Sequence, residues 1–281
     1  MKILFHKYHA LGNSFLVVMR SENRITAQRL PDLAQAICDP SSGVGGDGVA
    51  FLTASRKAQA KVDIYNADGS WAEKSGNGLR ISALHLALHH DAGRKMVMET
   101  STSLDEVRIG KRVDTGYFVS CDLGVPQFQT SAVPVRSEQE FLINSPLNFG
   151  PVELPVTCLA VGNPHTVIVV NDFDFEWQEL GAEIETADVF PNGTNVEFVR
   201  PVNRSKIRVA DWERGAGATG SSGTGAAAAV CALVMMGLVN RQCEVVFETG
   251  SLTVNWRDDT NVVELTGPVQ FVMDGEYDFR S

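Results

Sequence analysis

Three short segments recur along this chain in the same order and at nearly one spacing. Gly12-Asn13-Ser14-Phe15 runs into Leu-Val-Val, and Gly162-Asn163-Pro164-His165 runs into Thr-Val-Ile-Val-Val, 150 residues further on. Ser75-Gly76-Asn77-Gly78 opens one apolar stretch, and Ser222-Gly223-Thr224-Gly225 opens another 147 residues later. Met98-Glu99-Thr100-Ser101 matches Phe247-Glu248-Thr249-Gly250 at a spacing of 149. Repetition at a fixed interval restricts the possible folds more than composition does. It predicts two homologous halves facing each other, each carrying one glycine-rich helix start.

Local patterning fits this. Val62-Asp63-Ile64-Tyr65, Val196-Glu197-Phe198-Val199, Lys206-Ile207-Arg208-Val209 and Asn261-Val262-Val263-Glu264-Leu265 alternate as strands do. Leu79 to His90 and Ala226 to Leu238 read as long, mostly buried helices, one through the middle of each half. Gly93 and Gly237 fall near their ends, where helices often stop. The boundary between halves is expected near Asp122 to Val133, giving an N-terminal lobe of residues 1–122 and a C-terminal lobe of 123–281. The last dozen residues are expected to return to the first lobe.

A helix that begins at Gly76-Asn77-Gly78 leaves its first N–H groups without intrahelical partners. With the helix dipole they make an anion site that glycine lets a ligand approach closely. Two such starts aimed at one point can hold a carboxylate and stabilise the charge that develops on it when an α-proton leaves. One group takes the proton from one face and another delivers a proton to the other. This is the chemistry of amino-acid racemisation without a cofactor.

The motifs that carry this arrangement resemble those of the diaminopimelate epimerase family. They are Gly43-Val44-Gly45-Gly46-Asp47-Gly48, Tyr65-Asn66-Ala67-Asp68-Gly69-Ser70, Ser75-Gly76-Asn77-Gly78-Leu79-Arg80, Gly162-Asn163-Pro164-His165, Asn192-Gly193-Thr194-Asn195-Val196-Glu197-Phe198, and Glu213-Arg214-Gly215-Ala216-Gly217 followed by Ser222-Gly223-Thr224-Gly225-Ala226. They run in family order from Leu11 to Gly267. The resemblance implies an α+β fold of two pseudo-symmetric lobes, each a curved, mostly antiparallel sheet wrapped around a central helix. It implies an isomerase of the cofactor-independent, pyridoxal-phosphate-independent amino-acid epimerase or racemase type, of the kind used in lysine biosynthesis, with no metal. Its partner is a small diaminopimelate-like amino acid, and a homodimer is compatible with it.

The resemblance also implies residue roles. Asn13, Asn66, Asn163, Asn195, Glu213 and Arg214 would surround the substrate and read its distal end. Gly76, Asn77, Gly223 and Thr224 would hold the reacting carboxylate. His165 and Glu213 would assist the groups that move the proton. An arginine suits a carboxylate because its fork binds both oxygens.

The chain departs from the family at the centre of the chemistry. The family uses two cysteines, one before each helix-start glycine, and here Ser75 and Ser222 stand there. A thiol becomes a usable thiolate at a helix N-terminus. The dipole contributes about 0.3–1 kcal/mol, up to about 2, which does not make serine a resting alkoxide. A serine needs a partner base. Lys74, Leu79, Ile81, Ala218, Gly220 and Ser221 also differ from the family pattern, which reads as natural divergence. Gly48 and Ser14 differ too, at the distal specificity side.

Plainer readings stand beside these. Ser75 and Ser222 suit helix N-caps, which is compatible with facing a substrate. The asparagines suit turns, His165 a turn or core position, and Glu213 with Arg214 a surface ion pair. His6, His9, His85, His89 and His90 show no metal-like pattern with nearby acids and receive no role. Gly215-Ala216-Gly217-Ala218-Thr219-Gly220 satisfies GxGxxG, but the charged Asp211-Trp212-Glu213-Arg214 before it is not the buried strand a dinucleotide site needs. No GxSxG elbow surrounds either serine.

A net charge of −10 argues against nucleic acid and anionic membranes as partners. No signal peptide and no membrane-spanning run is expected. Cys38, Cys121, Cys158, Cys231 and Cys243 are widely spaced, as free thiols of a cytoplasmic protein are. Two functions remain: an enzyme doing proton chemistry at Cα with altered or weak activity, its base His165, Glu213 or Lys74, or a catalytically silent relative that binds an amino acid.

Overall fold

The computed structural model describes residues 1–114 and 116–280. The chain divides into two compact units. The first is Met1–Asp122 together with the chain from Thr266 onward, and the second is Leu123–Leu265.

In the first unit, strand β1 (Lys2–Ala10) turns into β2 (Asn13–Met19) through two residues. These are Leu11 at φ 51° and Gly12 at φ 87°. Two positive φ values are what a type I′ hairpin turn needs, and the turn delivers Asn13 to the start of β2. Helices α1 (Arg20–Asn23) and α2 (Leu30–Cys38) follow. Leu30, Leu33, Ala34 and Ile37 of α2 recur at helical spacing and are buried in one apolar cluster with Ile3, Leu16 and Phe51. Next come β3 (Gly48–Thr53), β4 (Ala60–Asn66), β5 (Trp71–Ala72), helix α3 (Gly76–His89), β6 (Lys95–Glu99), β7 (Leu104–Val113) and β8 (Gly116–Gly124).

The second unit holds β9 (Ser145–Phe149), β10 (Val152–Ala160), β11 (Pro164–Val169), α4 (Trp177–Glu185), β12 (Asn195–Asn203), β13 (Lys206–Trp212), α5 (Gly223–Met235), β14 (Gln242–Phe247), β15 (Gly250–Trp256) and the first residues of β16 (Val263–Asp278). The rest of β16 belongs to the first unit and pairs antiparallel with β1.

Both units are α+β, and their ladders repeat. Among the described residues β2–β3 and β4–β6 pair parallel in the first unit, and β11–β12 and β13–β14 do so at the matching places in the second. The flanking pairs β1–β2, β3–β4, β6–β7, β10–β11, β12–β13 and β14–β15 are antiparallel. Sequence alternation does not distinguish the two senses, so the parallel pairings are a structural finding.

Helix α3 packs on β1, β2, β3, β4, β6 and β7, and α5 on β10 through β15. Leu79, Ile81, Leu84 and Leu86 of α3 are buried, and so is α5 from Gly223 to Leu233. Each large apolar side chain removed from water in this way contributes about 1.5–3 kcal/mol before entropy is counted. Both helices start three residues before the apolar runs that signalled them and end slightly earlier; Leu88, still within α3, is exposed. Gly237 at φ 72° closes α5, where the Leu238 N–H donates to the Leu233 carbonyl at 2.9 Å. Asn261 was expected in a strand; at φ 56° it belongs to the turn before β16. Among the described residues no helix is long and apolar enough to cross a membrane.

Candidate active site

The two serines cap their helices in the same way. Ser75 is extended (φ −140°, ψ 116°); its Oγ accepts from the Gly78 N–H at 3.1 Å and its carbonyl from the Leu79 N–H at 2.9 Å. Ser222 is also extended (φ −117°, ψ 130°); its Oγ accepts from the Gly225 N–H at 3.2 Å and its carbonyl from the Ala226 N–H at 3.0 Å. The capping expectation therefore holds at both positions. Helix geometry leaves the N–H groups of Gly76 and Asn77, and of Gly223 and Thr224, without intrahelical acceptors. Each helix start can thus receive an anion. The glycines also fit tightly. A Cβ on Gly78 would stand 2.6 Å from Ile64 Cδ1, and one on Gly225 would stand 2.9 Å from Glu197 Oε1.

In the first unit the start of α3 is braced from two sides. Asn77 Nδ2 donates to Asn13 Oδ1 at 2.9 Å, and Asn77 Oδ1 accepts from Arg80 Nη2 at 2.6 Å. Arg80 is fully buried, so its guanidinium fixes which end of the Asn77 amide faces Asn13. Among the described residues Ser75 Oγ has only the Gly78 N–H as partner. Lys74, a candidate base, is tied down: its Nζ lies 2.7 Å from Asp105 Oδ1, both side chains being almost wholly buried. Asn66 bonds within its own turn, donating to Ser70 Oγ at 2.9 Å.

In the second unit the groups beside α5 form a connected network. Ser222 Oγ donates to Glu213 Oε2 at 3.2 Å. The Thr219 hydroxyl makes a short hydrogen bond to Glu213 Oε1 and lies 3.3 Å from Asp211 Oδ2. One hydroxyl proton shared by two carboxyl groups leaves one of them to hold its own proton. Burial, with the charges of Glu213 and Glu197 next, pushes Asp211 up to about 8. Burial also raises Glu213, with Thr219 and Ser222 acting in the opposite direction.

His165 is held by two side chains. Its Nδ1 lies 2.6 Å from Glu197 Oε1 and its Nε2 2.9 Å from Asn163 Oδ1, and none of its hydrogen bonds reaches Glu213 or Ser222. β11 and β12 bring it beside Asn195, their parallel neighbour in register. Asn195 Nδ2 donates to the Pro164 carbonyl at 2.7 Å, and its Oδ1 accepts from the Arg214 N–H at 2.9 Å. Arg214 forms no ion pair with Glu213; it is exposed, and Nη1 donates to the Asn192 carbonyl at 3.1 Å. The GxGxxG stretch is a turn after β13, with Glu213 and Gly217 exchanging backbone bonds at 2.8 Å in both directions. That turn returns Thr219 to Glu213.

Sequence reading missed Glu197, Asp211 and Thr219, as well as the bracing by Arg80. Glu197 sits in an alternating strand that looks half-exposed, yet Asn195 to Val199 is buried on both faces. The five cysteines are free and buried. Burial pushes Cys38, Cys121 and Cys158 up to about 12, and raises Cys231 and Cys243 as well. None of them replaces a thiolate at position 75 or 222.

Solved structures share this architecture. A hydroxyproline epimerase from Agrobacterium vitis superimposes with a TM-score of 0.72 at 16% identity, covering 98% of this chain and 90% of its own. A phenazine biosynthesis protein from Bacillus anthracis does so at 0.71 and 15%, over 99% and 100%. At such identities the likeness shows the fold alone, an α+β architecture shared with these two proteins. Sequence goes further. Residues 5–128 and 157–272 match the family model for diaminopimelate epimerase. The diaminopimelate epimerase of Carboxydothermus hydrogenoformans is 39% identical over 97% of this chain and 98% of its own length. That of Bacillus subtilis is 36% identical over 97% and 98%. The chain belongs to the diaminopimelate epimerase family.

Proposed function

We propose that this protein binds a diaminopimelate-like amino acid and exchanges its α-proton on one face, with Glu213 as the base and Ser222 as the hydroxyl that relays or positions the proton. The observation that carries this reading is the 3.2 Å bond from Ser222 Oγ to Glu213 Oε2 at the start of α5. A serine in proton chemistry needs a partner base, and this one has a carboxylate whose basicity burial has increased.

The N–H groups of Gly223 and Thr224, which have no intrahelical acceptor, then stabilise the carboxylate as negative charge builds on it. The His165–Glu197 pair holds Asn163 in place for the substrate. Asn195 fixes the Arg214 backbone, leaving that guanidinium at the surface to take a distal carboxylate. That Ser75 meets the same α-carbon is the expectation from the duplication. Among the described residues Ser75 has no comparable base, so complete epimerisation is expected to be slow relative to exchange.

Incubation with diaminopimelate in D₂O, followed by NMR of the α-position, tests the reading. Deuterium at Cα supports it. Saturable binding without deuterium favours the second reading, a silent binder. Replacing both serines with cysteine tests whether the family's two-thiol route can be restored, with epimerisation of diaminopimelate as the readout.

A further inference from the structure

Sequence gave no role to the histidines of the first unit, yet the fold gathers three of them. His85 and His89 lie four residues apart in the last turns of α3, and His6 projects from β1. One ring nitrogen from each lies within 4.8 Å of the others. The His6 ring centroid is 4.6 Å from that of His85 and 4.5 Å from that of His89. We propose that His6, His85 and His89 form a binding site for a divalent transition metal ion of the zinc class, clamping the end of α3 to β1.

Four observations converge on this. First, the donor set is three imidazoles, which suits Zn²⁺ and its neighbours in the first transition row. Second, His85 is buried and its Nε2 has no hydrogen-bond partner among the described residues. A polar nitrogen left this way calls for a ligand. Third, the other nitrogen of His85, Nδ1, lies 3.1 Å from the hydroxyl of the buried Tyr8. When Nδ1–H donates to Tyr8, the Nε2 lone pair points free, which is the outer-shell arrangement that orients metal-bound histidines. Fourth, the surroundings favour a cation: the site is at the C-terminal end of α3, and Asp274 is the cross-strand neighbour of His6.

Zn–N bonds of about 2.0–2.1 Å in tetrahedral geometry bring nitrogens to about 3.3 Å of one another. His89 is exposed and free to swing by that difference, with His85 as the fixed point. The ion would sit roughly 13–20 Å along α3 from its first residue, so its role is structural.

The test uses the full chain without a histidine tag, titrated with Zn²⁺ in a calorimeter and with Co²⁺ by visible absorption. The expected result is one ion per chain and Co²⁺ bands of a low-symmetry, nitrogen-bound ion. His89→Ala and His6→Asn should each weaken Zn²⁺ at least tenfold, Tyr8→Phe about tenfold, and His9→Ala not at all. Zn²⁺ should raise the melting temperature of the parent chain and leave that of His89→Ala unchanged. Absence of stoichiometric binding, or binding that survives both His89→Ala and His6→Asn, would overturn the proposal.

Discussion

The hydroxyl of Ser222 lies 3.2 Å from Glu213 Oε2, whereas the corresponding hydroxyl of Ser75 is engaged only by the Gly78 N–H among the described residues. The duplication repeated the helix cap but not the base beside it. This asymmetry directs the mechanism to the second unit.

Glu213→Gln is expected to reduce α-proton exchange by on the order of 10²–10⁴-fold, the usual contribution of a positioned general base. The affinity for the amino acid should change far less, because the amide keeps the shape and can still bond to Thr219. Exchange rates by NMR and binding by calorimetry separate the two effects. Equal losses in both would assign Glu213 to binding alone.

Ser75→Ala and Ser222→Ala each remove a helix cap and should cost about 1 kcal/mol of stability, measured from urea midpoints at constant slope. Exchange should respond unequally. Ser222→Ala is expected to slow it, and Ser75→Ala to leave the exchange on the Glu213 side largely intact.

Gly225→Ala places a methyl group 2.9 Å from Glu197 Oε1 and 3.0 Å from Ser222 Cβ. Overpacking of this kind costs about 1–3 kcal/mol. It should also disturb the His165–Glu197 pair, so that loss of exchange accompanies the lower urea midpoint.

Asp211 supplies a pH dependence with a definite sign. Its folded pKa is raised to about 8 from an ordinary value of 3.8. Between these values the folded state holds a proton that the unfolded state has released, so stability falls as pH rises through that window. The stabilising contribution is complete below pH 3.8 and lost by about pH 8. Asp211→Asn should flatten this part of the stability profile and raise the melting temperature most near its upper end.

The sequence revealed the helix starts because Ser75-Gly76-Asn77-Gly78 and Ser222-Gly223-Thr224-Gly225 are local signals: caps, glycines and apolar runs act over a few residues. The groups it concealed are joined through space. Glu197 occupies an alternating strand whose polar position looks outward, and only the pairing of β12 with both β11 and β13, under α5, turns it inward. Thr219 meets Asp211 and Glu213 because a glycine turn folds back after β13. His6 meets His85 because α3 packs on β1, which no spacing in the sequence encodes. Likewise Arg80 was legible as part of a motif, whereas its grip on Asn77 depends on complete burial.

The most direct measurement is the ratio of α-deuterium incorporation to inversion for diaminopimelate in D₂O, followed stereospecifically by NMR. One-sided proton transfer by Glu213 and Ser222 predicts deuterium entering with retained configuration, well ahead of inversion. Inversion as fast as deuterium uptake would contradict it, because that result requires a second proton-transfer group as competent as the first.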